Sequence, residues 1–248
     1  MGKKIKGNQV LVVGAGSSLA RYWDDIEQFI DRENVITVGI NRINHILTPD
    51  YHFWLDVNVY SHFKEGISKD SVACFGNHFD KKMLAKDGHS SYKIIKYTKL
   101  KWKDSYDDVN HKSYKGGEIK YNKKTKEFHG VFRAAGSLAI LWAHIKKASK
   151  ISVVGMDGYT FYSEEKLKSR QKDSRQHCYG KGYSDAIARN RSQKDLEGKQ
   201  KSKEFYAHAS KKDRDIYKTL QAIKRYGVEF EILTPTVYKD FYNPNVLR

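Results

Sequence analysis

The sequence has few cysteines and prolines, and it lacks any long apolar run. Its two cysteines, Cys74 and Cys178, lie far apart and have no histidine at zinc-knuckle spacing, which argues against a disulfide framework or a structural zinc site. Three prolines in 248 residues exclude a collagen-like or linker-dominated chain. No run approaches about 18 apolar residues, and the apolar stretch at 10–13 is shorter than a signal-peptide core. We therefore expect no membrane-spanning segment, no secretion signal and a reducing, cytoplasmic location (the host cytoplasm if a phage encodes the protein).

Acidic residues are scarce relative to basic ones. The chain carries 46 Lys and Arg against 29 Asp and Glu, a formal net charge of +17. Such a surplus attracts polyanions and favours a nucleic acid, an anionic glycan or an anionic membrane as partner. General solubility, or the composition of a lysine-rich genome, would explain the same surplus without a partner.

The apolar pattern predicts one α/β domain over residues 1–248, with a mostly parallel, Rossmann-like sheet and helices on both faces. Short apolar, β-branched runs predict buried strands, and runs with a period near 3.6 predict amphipathic helices. The predicted strands are 9–13, 35–40, 52–57, 71–75, 151–154 and 228–233. The predicted helices begin at Ser18, cover 137–147 and cover 210–226.

Two segments depart from this alternation. Residues 93–126 hold eleven lysines and four acidic residues, interleaved with Tyr and Trp, and predict a basic hairpin or meander inserted at about 93–130. Residues 163–205 are highly charged and almost without apolar period, so we expect a mobile or partly disordered lid there.

A glycine turn, GAGSSL, follows the first predicted strand and opens the first helix. Such a turn lets backbone approach a phosphate, which the free N–H groups and positive dipole end of the helix attract. It departs from the dinucleotide fingerprint because Leu19 replaces the third glycine and Asn41, followed by Arg42, replaces the acid after the second strand. An amide pairs with both donors and acceptors, so a nucleotide or nucleotide-sugar site is favoured over NAD. A tight turn beside a polar strand end is the structural alternative.

A second loop, GMDGY, follows the strand at 151–154. Since ligands bind at the carboxyl edge of such sheets, Asp157 is expected near the cleft. Tyr159 and Tyr162 are candidates to stack on a base or to donate a hydrogen bond to a phosphate. The alternative is that Asp157 caps a loop and that the aromatic side chains pack in the core.

A third segment, FYAHAS, precedes the predicted helix at 210–226. A histidine at a helix N-terminus in a cleft loop can act as general base, which makes His208 a candidate. The only D-x-D string, at 213–215, falls inside that helix and would be a poor clamp for a divalent cation. We therefore expect no obligatory metal.

In this order, the segments resemble the bacterial lipooligosaccharide sialyltransferases of glycosyltransferase family 42. The counterparts here are GAGSSL (14–19), GINRI (39–43), RAAGSLAILWA (133–143), VVGMDGYTFY (153–162) and FYAHAS (205–210). The resemblance implies a variant of the GT-A glycosyltransferase fold in which Gly14, Gly16, Ser18 and Asn41 hold a nucleotide-sugar donor, Tyr159 or Tyr162 contacts its phosphate, and His208 is the catalytic base. Asp157 is our second candidate for the base. With the neighbouring residues of the same segments, the full set of expected donor-binding residues is Gly14, Ala15, Gly16, Ser17, Ser18, Asn41, Arg42, Ala135, Gly136, Asp157, Gly158, Tyr159 and Tyr162. The first half of the pattern is also similar to archaeal-type pterin pyrophosphokinase-like proteins.

Two positions depart from the family pattern where that family recognises CMP-sialic acid. The turn Asn of the family is Ala15 here, and the Ser before the helix glycine is Ala135. These departures favour a nucleotide sugar other than CMP-sialic acid, such as a UDP-linked one, and the donor classes expected are UDP- and CMP-linked sugars.

For the acceptor, the charge favours DNA carrying a hydroxymethylated base, as in phage DNA-modifying glycosyltransferases, over a surface glycan. The expected polyanion contacts are Lys120, Lys123, Lys124, Arg170 and Arg175. A surface-glycan sialyltransferase-like enzyme using a CMP-sugar is the first alternative, and a non-catalytic nucleic-acid-binding protein is the second. The oligomeric state is left open.

Overall fold

Strands and helices alternate along most of the chain. The computed structural model describes residues 3–89, 91–99, 101–102, 113–114, 119–161 and 199–247. Its strands are β1 Gln9–Val13, β2 Ile36–Ile40, β3 Tyr51–Trp54, β4 Val72–Gly76, β5 Lys93–Lys99, β6 Lys101–Trp102, β7 Ser113–Tyr114, β8 Lys120–Asn122, β9 Glu127–Gly130, β10 Lys150–Val154 and β11 Glu231–Ile232. Its α-helices are α1 Ser18–Arg21, α2 Trp23–Glu33, α3 Val57–Phe63, α4 Lys81–Lys86, α5 Ala135–Ile145 and α6 Lys199–Arg225.

Within the described residues, one mixed sheet of nine strands organises the fold. Its order is β11-β10-β1-β2-β3-β4-β5-β9-β8, with β6 and β7 forming a separate parallel pair. Neighbouring strands are parallel except β8 and β9, which are antiparallel. The predicted α/β class with a mostly parallel, Rossmann-like sheet is confirmed.

The pleat of β1 shows why the sheet is covered on both faces. Val10 and Val12 pack with α5 and α6, whereas Leu11 and Val13 pack with α1 and α2 on the opposite face. Each of these side chains is 1% exposed or less, and full burial of one contributes roughly 1.5–3 kcal/mol. Helices α3 and α4 cover the second face further along, against β3 and β4.

The strand predictions hold to within a few residues, but three expectations change. Strand β5 belongs to the main sheet, so among the described strands of the expected insertion only the β8–β9 pair is a hairpin, and it extends the sheet at one edge. Helix α6 begins at Lys199 rather than Ser210, so the end of the expected lid is helical. The first predicted helix is divided at Tyr22 into α1 and α2. Most of the expected lid, and much of the expected insertion, lie outside the described residues.

None of the helices in the described ranges has the length and apolar character needed to cross a bilayer.

Candidate functional site

The carboxyl ends of β1 and β10, called the β1–β10 crevice below, lie where the chain passes from building one side of the sheet to building the other. From β1 the chain adds β2 to β5 on one side, and it returns through α5 to place β10 on the other side. The two strands are parallel and aligned from Gln9↔Lys150 to Val13↔Val154, so the loops that follow them leave the same edge together. In open α/β sheets, ligands bind outside the carboxyl ends of the strands at such a point.

The two loops pack against each other without room for side chains. Gly14 N–H donates to Val154 O (2.8 Å), and Gly16 N–H donates to Gly155 O (2.8 Å). A Cβ on Gly14 would lie 2.5 Å from Gly155 O, and one on Gly16 would lie 2.5 Å from Asp157 Oδ1. These glycines are therefore required by contacts within the protein, a different reason from the phosphate approach inferred from the sequence.

Asp157 holds the glycine turn from the β10 side. Asp157 is 3% exposed. Its carboxylate accepts hydrogen bonds from Ser18 N–H (2.7 Å), Ser18 Oγ and Ser17 Oγ (3.3 Å). Burial raises the pKa of the Asp157 carboxyl, and the bonds from Ser18 and Ser17 oppose that rise. The start of α1, where the sequence predicts a phosphate, is thus occupied by the protein's own carboxylate.

Asn41 follows β2 in an unusual backbone conformation. Its φ is 54° and its ψ is −133°, a region that costs a non-glycine residue of order 1–3 kcal/mol and tends to occur at functional sites. Its N–H donates to Phe53 O (2.9 Å), and its carbonyl accepts from Ile43 N–H (2.8 Å). The side-chain Oδ1 is buried and has no hydrogen-bond partner among the described residues.

His52 is a site residue that the sequence reasoning missed. It lies in β3, fully buried, and its Nε2 bonds to the Asn41 carbonyl. Burial lowers the pKa of His52 to about 4. Because a carbonyl only accepts, the neutral ring carries its proton on Nε2. The available signal is a lone histidine inside the apolar run YHFW.

Helix α5 also begins at this edge. Its N-cap, Ala134, provides no side-chain cap, and a Cβ on Gly136 would lie 2.6 Å from Met156 Cε, which brings the helix start to the β10 loop. Ser137 Oγ is buried in the first turn and has no hydrogen-bond partner among the described residues. Arg133, just before the helix, pairs with Asp215 (Nε to Oδ2, 3.3 Å).

The rest of the β10 loop is held by α6. The Asp213 carboxylate accepts from Tyr159 N–H (2.8 Å), from Thr160 N–H and Oγ1 (both 2.7 Å), and from Tyr238 OH (2.8 Å). Burial raises the pKa of the Tyr159 phenol, and Lys212 Nζ lies 4.9 Å from the centre of its ring. Tyr159 thus packs against α6, and Gly158 (φ 93°) provides the turn that leads to it.

His208 lies inside α6, more than two turns after Lys199. The expectation that it stands at a helix N-terminus is wrong, because the charged segment before it continues the helix. The D-x-D string is also helical: Asp213 binds the β10 loop and Asp215 pairs with Arg133.

The remaining candidates are dispersed. Lys120, Lys123 and Lys124 are exposed on the β8–β9 hairpin, at the sheet edge remote from the crevice. Arg42 stacks on Phe63, its guanidinium carbon 4.3 Å from the ring centre. Tyr162, Arg170 and Arg175 lie outside the described residues.

No cluster of three or more metal-ligating His, Cys, Asp or Glu occurs among the described residues.

A scan of the sequence against protein-family models finds no match, and a search of curated proteins finds none.

Proposed function

We propose that this chain is a glycosyltransferase, a variant of the GT-A type, that binds a nucleotide sugar beside the β1–β10 crevice. The observation that carries the proposal is the meeting of distant segments at this edge. The loops after β1 and β10 bond to each other, Asn41 follows the neighbouring strand β2, and α5 begins against Met156. These are four of the five segments that resemble family 42, and their convergence supports a shared ligand.

The donor is proposed to lie with its nucleoside toward Asn41 and its phosphate toward the start of α5. A phosphate at α1 would face the Asp157 carboxylate, whereas α5 offers an uncapped first turn preceded by Arg133. Asn41 Oδ1 would accept from a hydroxyl or amino group of the nucleoside. The donor proposed for this arrangement is a UDP- or CMP-linked sugar.

The proposed reaction is direct displacement at the anomeric carbon. His208 takes the proton of an acceptor hydroxyl, whose oxygen forms a bond to that carbon. The bond from the carbon to the phosphate oxygen breaks, and the nucleotide leaves with the electron pair. Asp157 is the weaker candidate for base, since its carboxylate is buried and already accepts from Ser17 and Ser18.

The proposed acceptor is DNA, because the exposed lysines of the β8–β9 hairpin, Lys120, Lys123 and Lys124, lie far from the crevice. Strand β8 is six strand positions from β1, roughly 29 Å at the usual strand spacing. A small glycan in the crevice would not reach the β8–β9 hairpin, whereas about nine base pairs of DNA span that distance. The surface glycan and the non-catalytic nucleic-acid-binding protein are the alternatives that the experiments separate.

The decisive experiment is thermal unfolding with CMP, UDP, CMP-sialic acid and UDP-glucose. A ligand at 100 times its Kd adds about 2.7 kcal/mol to stability, so one of these compounds should raise the Tm. Asn41→Ala should weaken the binding of that compound by about 1–3 kcal/mol, because a buried hydrogen bond is removed. The matched control is Asn8→Ala, an exposed asparagine preceding β1. If no nucleotide or nucleotide sugar shifts the Tm, the proposed function is wrong.

A further inference from the structure

His52, in β3, contacts the residue that follows β2. It is fully buried in β3 beside Trp54, with ring centres 4.7 Å apart, and its Nε2 bonds to the Asn41 carbonyl. Its other nitrogen, Nδ1, is buried without a hydrogen-bond partner among the described residues. Among the described residues, the bond to Asn41 is therefore the one hydrogen bond that this ring makes.

The bond falls on a peptide that needs outside support. At φ 54° and ψ −133°, Asn41 lies outside the left-handed helical region that asparagine tolerates, in a part of the positive-φ range that glycine adopts freely. Its N–H is fixed by Phe53 O, and its carbonyl by Ile43 N–H and His52 Nε2. Two of these three partners belong to β3, so β3 sets the direction in which residue 41 leaves β2.

We propose that His52 is a positioning residue: it holds the Asn41 backbone in its positive-φ conformation and so aims the Asn41 amide at the nucleoside of the ligand. A leucine at position 52 would fill the space and give no hydrogen bond. A glutamine would place an amide N–H the same number of bonds from the backbone as Nε2 of histidine. The orientation of the Asn41 amide then depends on a hydrogen-bond donor at position 52. An amide N–H or an imidazole N–H at the same distance from the backbone provides this support.

The ligand side of this inference rests on the proposed nucleotide site, but its backbone side does not. Crystal structures of His52→Leu and His52→Gln test the backbone without ligand. Residue 41 should leave the positive-φ region in His52→Leu and remain there in His52→Gln. Positive φ retained in His52→Leu would overturn the proposal. If His52→Leu does not fold, the double variant with Asn41→Gly provides the test. Folding of the double variant supports the proposal, because glycine adopts this backbone conformation without support. A double variant that also fails to fold overturns the proposal.

Calorimetry with CMP and UDP tests the ligand side. Against the nucleotide that binds the wild type, His52→Leu should weaken affinity about tenfold, the size of one hydrogen bond, and His52→Gln should stay within about threefold. In the Asn41→Gly chain, His52→Leu should cause no further weakening, since the two residues act as one unit. Additive effects would overturn the proposal. If neither nucleotide binds the wild type, the proposed function fails while the crystal structures still decide on His52.

Discussion

At the scale of single residues, the carboxylate of Asp157 has the largest consequence for the site. Sequence reasoning places a phosphate at the start of α1, where the Ser18 N–H is the donor. In the folded chain that donor binds Asp157, 139 residues further along. A local motif shows that an N–H group at a helix start has no acceptor within its own helix. Only the tertiary fold shows which acceptor binds that N–H group. The same limit hides the bond between His52 and Asn41, because the two residues meet only when β2 and β3 pair.

The raised pKa of Asp157 predicts a pH dependence of stability. Because burial raises the pKa in the folded state, the folded chain binds this proton more tightly than the unfolded chain. Stability from this group is therefore present at low pH and declines as pH rises from the ordinary aspartate pKa to the raised one. Asp157→Asn should remove this dependence, so the wild type should gain stability relative to the variant as the pH falls from 7 toward 4.

Urea unfolding at several pH values measures this difference, with Asp80→Asn, a cap of the exposed start of α4, as control. Asp157→Ala should in addition cost about 1–3 kcal/mol at pH 7, because the Ser18 N–H is left without its partner in a buried site. A difference between wild type and Asp157→Asn that stays constant over this range would contradict the assignment.

At the scale of elements, the sequence predicts buried strands well and helix ends poorly. The β-branched runs of β1, β2 and β10 are unambiguous because both faces of these strands are covered. Strand β5 is not assigned to the main sheet from the sequence because its lysines, 93, 96 and 99, resemble a surface segment. The first part of α6 is missed because KQKSKEFY has no apolar stripe in the sequence, and Ala209 is the first buried position among the α6 residues whose burial is described.

His208, which lies within α6, is the proposed general base, and its replacement tests that role. A general base acts in the transition state, so His208→Ala should lower kcat by about 10²–10⁴-fold and leave donor affinity nearly unchanged. The matched control is His129→Ala, a partly exposed histidine on β9. Steady-state kinetics with the donor identified by thermal unfolding provide the measurement. Should His208→Ala keep more than about a tenth of wild-type kcat, His208 is not the base.

At the scale of the whole molecule, the crevice and the exposed lysines of the β8–β9 hairpin occupy different parts of the sheet. The crevice lies where the chain passes from one side of β1 to the other, and the acids beside it, Asp157 and Asp213, accept hydrogen bonds from N–H and hydroxyl groups. The hairpin lysines are exposed at the far edge of the same sheet. Neither the strand order nor this separation is visible in the sequence, because both depend on which strands become neighbours.

That separation makes the acceptor testable apart from the donor. Each phosphate neutralised by a basic side chain contributes about −0.9 to the slope of log K against log of salt concentration. Reversing Lys120, Lys123 and Lys124 to Glu should weaken binding to duplex DNA and make this slope shallower by about 0.9 for each phosphate that is no longer neutralised. Donor affinity should not change, because β8 lies six strand positions from β1.

The same reversal of Lys81, Lys82 and Lys86, exposed on α4, changes the net charge equally and serves as control. Equal weakening of DNA binding by both variants would mean that the affinity for DNA depends only on the overall charge of the protein. Tight binding of a neutral oligosaccharide, with no DNA binding at about 50 mM salt, would favour the surface glycan as acceptor.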